Sequence, residues 1–370
     1  MSLSENELQR YERHLSLPDV GIAGQERLKQ SSILIVGAGG LGSPAAMYLA
    51  AAGIGRIGIV DADVVELSNL QRQILHTTPE IGKRKTDSAR DMLNGINPEV
   101  VVETHKVRIE EENAQSIFEH YDIVIDGSDN FPTRFVISEA CSSLGKPHIY
   151  GSVFRFEGQV SVFDSRRGPC YRCLHPEPPP AGLVPDCTVG GVIGVLPGIV
   201  GSIQAAEAIK ACLQVGKGLI GRMLLIDIRD MTFRELELNK NPECRGCGVR
   251  KNQPIQRTPS TVSEDEAASD ISVEELKSRN ANGDILVLDV REPHEYEIAR
   301  IASVLIPLQQ LPNRFEELDK TKEIVTLCHH GFRSAHAAAF LRSQGFQRVR
   351  NLAGGIDAWS ARIDPTIPRY

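Results

Sequence analysis

The strongest constraint on the fold is the run Gly37-Ala38-Gly39-Gly40-Leu41-Gly42, set between an apolar strand-like segment, Ser31–Val36, and a small-residue helical segment from about Leu41 to Ala52. A second strand pattern, Ile57–Val60, follows. Strand, glycine turn, helix and strand in that order open a Rossmann-like, doubly wound α/β sheet, because parallel neighbours need a crossover helix between them. The glycine spacing exposes backbone N–H groups at the positive end of the helix dipole, a cradle for phosphate. Ile123–Asp126 reads as a further buried strand leading into Gly127-Ser128-Asp129-Asn130 and a helix, the strand-end position where such sheets hold their ligands. Glu5–His14 and Gly198–Leu213 are helical in pattern.

Asp61, about twenty residues beyond the glycines at the end of the second strand, is placed to accept from a ribose hydroxyl. On these features alone the chain reads as an NAD-dependent oxidoreductase. The residues that follow point to a triphosphate instead. Asp61-Ala62-Asp63, Ser68-Asn69-Leu70-Gln71-Arg72-Gln73 and Lys85 concentrate more phosphate-directed side chains than hydride transfer requires. Loss of pyrophosphate puts negative charge on the α-phosphate and the leaving group, and that charge must be neutralised where it develops. Arg72 and Lys85 supply cations, Asp129 a carboxylate for magnesium, and Asn69 and Asn130 hydrogen bonds.

Taken together, Arg10-Tyr11-Glu12-Arg13-His14, Gly37–Gly42, Asp61-Ala62-Asp63, Ser68–Gln73, Lys85 and Asp126-Gly127-Ser128-Asp129-Asn130 resemble the ubiquitin-activating-like adenylyltransferases over about Glu5 to Gly248. Within that family the chain is most similar to the molybdopterin-synthase adenylyltransferases and their thiamine-pathway cousins. The resemblance implies ATP-dependent adenylation of the C-terminal glycine of a small ubiquitin-like sulfur-carrier protein ending in Gly-Gly. By position, it implies that Gly40, Asp61, Ser68, Asn69, Leu70, Gln71, Arg72, Lys85, Asp129 and Asn130 bind ATP, that Asp129 binds Mg2+, and that Arg72 is catalytic. Arg13 is implied to act across a homodimer interface.

Of 8 cysteines, four form two Cys-x-x-Cys pairs, Cys170 with Cys173 and Cys244 with Cys247, about seventy residues apart. Two such pairs satisfy tetrahedral thiolate coordination of zinc better than they suit a redox couple, and with no fifth ligand the role is structural. Family members resembling this chain carry a structural Zn2+ at the matching cysteines. Cys187, in Val184-Pro185-Asp186-Cys187-Thr188-Val189-Gly190-Gly191, reads as a loop thiol able to reach a partner. The resemblance implies that it bonds the carrier's terminal carbonyl as a thioester or resolves a disulfide. Cys141 and Cys212 lie in apolar helical contexts and read as core.

From about Arg250 to Ser269 the texture changes to proline, hydroxyl and acidic residues without apolar periodicity, which reads as a flexible linker. A second α/β pattern follows: Ile271–Leu276 opens a helix, Ile285–Asp289 and Glu323–Leu327 are strands, Ser334–Gly345 is a helix and Val349–Leu352 a strand. The division is therefore 1–249, linker 250–269 and 270–370. Glu323–Leu327 runs into Cys328-His329-His330-Gly331-Phe332-Arg333. Successive loop N–H groups and the next helix dipole point at the sulfur, and Arg333 adds fixed charge, an arrangement that favours thiolate and persulfide. Cysteine phosphatases keep one residue more between cysteine and arginine; the tighter loop suits a sulfur atom better than a tetrahedral phosphate. With Leu288-Asp289-Val290-Arg291-Glu292 upstream and Gly354-Gly355-Ile356-Asp357-Ala358-Trp359 downstream, residues from about Asp270 to Tyr370 resemble a rhodanese domain. Two departures stand out: His329 sits where many members have Arg, and Ala299-Arg300-Ile301 replaces Gly-His-Ile.

The two halves together predict an adenylyltransferase fused to a sulfurtransferase. A Cys328 persulfide, loaded by a cysteine desulfurase or thiosulfate, converts the adenylated carboxylate to a thiocarboxylate, for molybdopterin, thiamine or tRNA thiolation. A net charge of -7 with no basic run argues against nucleic acid. Met1-Ser2-Leu3-Ser4-Glu5 lacks signal-peptide character and no apolar run reaches membrane length, so a cytoplasmic protein without a membrane partner is expected.

Overall fold

A computed structural model describes residues 2–178, 191–248, 270–280 and 285–369. These fall into two compact units, 2–178 with 191–248, and 270–280 with 285–369. Cys187 and the 250–269 linker lie outside the described residues.

The first unit has eight strands: β1 Ser32–Val36, β2 Arg56–Val60, β3 Val101–His105, β4 Ile123–Asp126, β5 His148–Phe154, β6 Glu157–Phe163, β7 Arg222–Asp227 and β8 Thr232–Glu237. They form one sheet in the order β3-β2-β1-β4-β5-β6-β7-β8. Pairing is parallel from β3 through β5 and antiparallel from there to β8. β1 is buried along its whole length. Ile33 and Ile35 enter a core with Leu49, Ile57 and Val200, whereas Leu34 and Val36 enter another with Phe118, Val124 and Ile137. A strand covered on both faces has no polar alternation, which is why it reads as a continuous apolar run. Helices Gly21–Gln30, Gly42–Ala51, Lys85–Ile96 and Val195–Leu213 contribute to the first core, Glu111–Phe118 and Phe131–Leu144 to the second. The strand order reverses between β1 and β4, and the crevice outside their carboxyl ends is where this topology binds ligands.

Two helices of this unit differ from expectation. The segment Glu5–His14 is two helices, Glu5–Arg10 and Glu12–Leu15, broken at Tyr11. Tyr11 is buried with its hydroxyl accepting from Asn97 Nδ2 at 2.8 Å, and this anchoring takes precedence over helix continuity. The helix expected from Gly198 starts at Val195, because Leu196 is already buried in the first core and Pro197 falls in the first turn, where a missing N–H costs nothing.

The second unit has β9 Asp270–Ile271, β10 Ile285–Asp289, β11 Val304–Leu305, β12 Glu323–Leu327 and β13 Val349–Leu352, in the order β11-β10-β12-β13-β9 with every pairing parallel. Leu288, Ile324 and Cys328 face one core with Ala337 and Leu341; Ile285, Val287, Val325 and Leu327 face the other with Leu276 and Ile356. Ile271 is not helical, as its sequence neighbours suggested. It pairs with Leu352, and the helix Val273–Arg279 begins after Ser272, whose hydroxyl accepts from the Glu275 N–H. The helix expected over Ser334–Gly345 spans Phe332–Ser343.

Candidate functional site

The glycine turn leaves β1 at Gly37, whose φ of +96° only glycine adopts without strain. A Cβ at Gly37 would stand 2.8 Å from the carbonyl of Gly127 in the loop after β4, so the loops from β1 and β4 abut across the switch point. A Cβ at Gly42 would fall 1.9 Å from the Gly37 carbonyl, which fixes glycine at the other end of the turn. Between them the Ala38 peptide is held on both sides. Its N–H donates to Asp61 Oδ2 at 2.8 Å, and its carbonyl lies 2.9 Å from His76 Nε2. Because a carbonyl only accepts, Nε2 carries the proton, and Nδ1, 2.8 Å from Ser88 Oγ, accepts from that hydroxyl. Burial pushes the His76 pKa down, in keeping with this neutral tautomer.

The Ser68–Gln73 segment closes one side. A Cβ at Gly40 would lie 3.0 Å from Pro197 and 3.6 Å from Arg72, and one at Gly39 3.7 Å from Gln73 Nε2. Arg72 Nη1 donates to the Ser68 carbonyl at 3.1 Å, and Asn69, buried, donates through Nδ2 to Ser68 Oγ at 3.3 Å. Ser68 and Gln71 are exposed and Leu70 half-buried. Lys85, only 6 % exposed, opens helix Lys85–Ile96 and sets Nζ 3.3 Å from Asp63 Oδ2. Asp129 is exposed after β4, its Oδ1 accepting from Asn130 Nδ2 at 3.2 Å. Asn130 also caps helix Phe131–Leu144, its Oδ1 accepting from the Thr133 N–H at 3.0 Å. The structure thus brings Gly40, Arg72, Asp61 and the glycine turn together. It places Arg13 elsewhere, exposed on the short helix Glu12–Leu15.

Sequence reasoning missed the groups beneath this surface. His76 is one; lone histidines carry no spacing signal. The pairing of Asp126, a residue the sequence gives only as a strand end and motif member, is another: Asp126 is fully buried at the end of β4 with His148 Nε2 at 3.1 Å and the Ser128 N–H and Oγ donating at 2.9 and 2.6 Å. Burial opposes its charge, but these hydrogen bonds, His148 foremost, hold its carboxyl below the ordinary range. Gln204 Nε2 donates to the Asp126 carbonyl at 2.8 Å, fixing the strand end from helix Val195–Leu213.

Cys170 and Cys173, at the start of a short helical turn, meet Cys244 and Cys247 from the turn beyond β8. Sulfur separations are 3.9 Å for Cys170–Cys173, 3.6 Å for Cys170–Cys244 and 3.5 Å for Cys173–Cys247. Four sulfurs at about 2.3 Å from a tetrahedral zinc lie roughly 3.8 Å apart, so the donor set and its spacing fit Zn2+. Backbone N–H groups of Asn241 and Gly246 donate to Cys173 and Cys244 at 3.4 Å each, the outer bonds that steady thiolate ligands. Cys141 is buried and Cys212 half-buried, and burial raises both thiol pKa values, as packing cysteines require.

In the second unit Cys328 is 2 % exposed at the end of β12. The Gly331 N–H donates to its Sγ at 3.1 Å, and Ser334 Oγ lies 3.2 Å away. Arg333 pairs at 2.6 Å through each of two nitrogens with the two oxygens of Glu295. Burial opposes ionisation of Glu295, yet Arg333 and the Glu292 N–H hold its pKa below the usual 4.5. Arg291, fully buried, is ion-paired to Asp289 at 2.6 Å and donates to the Ala299 carbonyl at 2.7 Å. That backbone bond explains why Ala299 can stand where glycine is common: the main chain makes the contact. Burial and the adjacent His330 lower His329 to about 4, so this loop residue is neutral where many rhodaneses have a charged arginine.

The ThiF family matches residues 11–246, and the rhodanese-like domain matches residues 272–362. The chain belongs to the ThiF family and carries a rhodanese-like domain after the ThiF part. It is 41% identical to the adenylyltransferase/sulfurtransferase MoeZ of Mycobacterium tuberculosis, over 100% of this chain and 97% of that protein. It is 42% identical to the adenylyltransferase and sulfurtransferase MOCS3-2 of Zea mays, over 100% of this chain and 82% of that one. A sulfur carrier protein adenylyltransferase of Thermus thermophilus is 50% identical, but over 70% of this chain and 96% of its own length. Among solved structures, Escherichia coli MccB with ATP has the same fold, with a TM-score of 0.57 at 22% identity over 66% of this chain and 75% of that one. The chain is an enzyme, an adenylyltransferase and sulfurtransferase. No helix among the described residues is long and apolar enough to cross a membrane.

Proposed function

We propose that this enzyme uses ATP to adenylate the C-terminal glycine of a ubiquitin-like sulfur-carrier protein and then converts that carboxylate to a thiocarboxylate with sulfur from Cys328, in molybdopterin (molybdenum cofactor) biosynthesis. One observation carries the reading: a single chain holds a phosphate cradle at a topological switch point and a cysteine whose sulfur accepts a backbone N–H of its own loop. The division of labour follows 1–249 for adenylation and 270–370 for sulfur, joined by 250–269.

In the first step a carrier carboxylate oxygen attacks the α-phosphorus of ATP and pyrophosphate leaves. The glycine turn and Ser68, Asn69, Leu70 and Gln71 position the nucleotide; Arg72 and Lys85 neutralise charge on the phosphates. Asp61 joins turn and ribose, since its Oδ2 already holds the Ala38 N–H. Asp129, one exposed carboxylate beside the phosphate cradle, fits Mg2+, which binds through one or two carboxylates plus substrate phosphates and supplies charge neutralisation when bound. Arg13 serves the site of a second copy in a homodimer, a role supported by its exposure on its own chain. Zn2+ at Cys170, Cys173, Cys244 and Cys247 staples the end of the sheet, and no step passes through it.

In the second step the terminal sulfur of a Cys328 persulfide, loaded by a cysteine desulfurase or thiosulfate, attacks the acyl-adenylate carbonyl and AMP leaves. The product is an acyl disulfide on Cys328. Attack of the Cys187 thiolate on Cys328 Sγ releases the thiocarboxylate and leaves a Cys187–Cys328 disulfide; a Cys187 thioester formed before sulfur transfer is the other route. Carrier-dependent ATP–pyrophosphate exchange tests the account. Cys328→Ala retains exchange and loses thiocarboxylate, while Asp129→Ala loses exchange. Loss of both activities in Cys328→Ala removes the two-module reading.

A further inference from the structure

The Cys328 loop carries a second set of donor atoms that sulfur chemistry does not use. His329 and His330 are consecutive, and Asp357 lies in the first turn of helix Gly355–Arg362. Loop and helix are tied through the backbone. The Ile356 N–H donates to the Cys328 carbonyl at 2.9 Å and the Asp357 N–H to the His329 carbonyl at 3.1 Å. This approach depends on glycine at 355, where a Cβ would stand 2.3 Å from the His329 carbonyl oxygen. As a result, one ligating atom from each of His329, His330 and Asp357 lies within 4.8 Å of the others. His330 Nδ1 is 4.0 Å from Asp357 Oδ2, and the two imidazole centroids are 4.1 Å apart. Neighbouring residues on an extended chain point to opposite sides; here the two rings converge.

We propose that His329, His330 and Asp357 bind a divalent transition-metal ion of the zinc type at the rim of the Cys328 loop, and that its occupancy restrains the loop and suppresses sulfur transfer. Two imidazoles with one carboxylate form a borderline nitrogen and oxygen set that suits zinc and disfavours magnesium. Three protein ligands leave a fourth position open. Metal–ligand bonds of about 2.0–2.2 Å require the donors to draw closer, which side-chain rotations supply. Asp357 also accepts from Arg369, at 2.8 Å from Nε and 3.1 Å from Nη2. The Arg369 side chain is 62% exposed, so metal binding requires this bidentate surface pair to release one carboxylate oxygen, while Arg369 keeps its bond to the other. The site is separate from the four-cysteine cluster in both donor chemistry and compact unit.

The binding stands without any functional reading; the inhibition rests on Cys328 as the sulfur-carrying residue. The full-length protein, its four-cysteine site already filled, is titrated with zinc ion alone, and bound metal per chain is measured by elemental analysis after desalting. Wild type is expected to take up one further equivalent, and His330→Ala and Asp357→Asn to lose it. Equal uptake by wild type and both variants overturns the proposal. His330 is exposed, so its replacement leaves the core intact. In parallel, zinc is expected to inhibit sulfur transfer by wild type, with His330→Ala less sensitive by about tenfold or more. Equal sensitivity would put the metal on the Cys328 thiol itself and overturn the site. Absence of sulfur transfer in wild type before any zinc is added, with only the four-cysteine site filled, would instead contradict the reading of Cys328, with uptake still deciding the site.

Discussion

The Gly37–Gly42 turn leaves β1 and enters helix Gly42–Ala51; the Cys328–Arg333 loop leaves β12 and enters helix Phe332–Ser343. Both follow an interior strand paired in parallel on both sides, and both contain a glycine with nearly the same φ, +96° at Gly37 and +98° at Gly331. Their contents differ. In the first, the Ala38 peptide is clamped by Asp61 and His76, and glycines keep the remaining turn clear of side chains. In the second, the loop N–H of Gly331 is already directed at a resident sulfur. The same backbone device receives a diffusible anion where glycine leaves room and surrounds a covalent one where cysteine fills the space.

The sharpest way to break the comparison is Cys328→Ala, which should reduce thiocarboxylate formation to background with ATP–pyrophosphate exchange unchanged. Lys85→Ala should act on the opposite loop, lowering exchange by about 10²–10³-fold through lost neutralisation of the leaving group, with sulfur loading of Cys328 intact by persulfide labelling. Matched alanine substitutions then ask whether each loop serves its own step. Gly37→Ala, strained and 2.8 Å from the Gly127 carbonyl, should lower stability by about 1–3 kcal/mol by thermal unfolding and raise KM for ATP. Gly331→Ala, with its Cβ 3.1 Å from the Gly354 nitrogen, should bring a similar loss of stability and impair sulfur loading alone. The smallest effect is acid sensitivity. The Glu295 pKa is lower in the folded state than its ordinary 4.5, so its pairing stabilises the second unit above that value and fades as pH falls through the folded pKa. Glu295→Gln should therefore lower stability by about 1–3 kcal/mol at neutral pH, and the difference from wild type should shrink toward pH 3.

The elements that were legible in the sequence are those whose signal is local. β4, β10, β12 and β13 begin and end where the sequence pattern places them, and the glycine turn falls where its spacing puts it. Ile271 reads as the start of a helix, because a two-residue strand, Asp270–Ile271, has no periodicity of its own; only the partner β13 makes it a strand. The four cysteines converge as their pairs suggested. The roles of His76, His148 and Gln204 are not legible, since each acts through a contact more than ten residues away in sequence and none belongs to a spaced motif; Asp126 stands in a motif, but its pairing with His148 is equally long-range. Asp61 was assigned a ribose, and its bond to Ala38 adds a structural duty that sequence could not display. Ion pairing of Arg333 with Glu295 was equally hidden, because its two partners are 38 residues apart.

The central claim is that the two loops act in succession on one carboxylate. Intact-mass spectrometry of a purified ubiquitin-like carrier, incubated with the enzyme, ATP and a sulfur donor, tests it most directly. The account predicts the mass increase of an oxygen-to-sulfur exchange at the carrier's terminus with wild type, lost when ATP is omitted and lost with Cys328→Ala. The same exchange produced by Cys328→Ala as fully as by wild type, or by wild type without ATP, would contradict it.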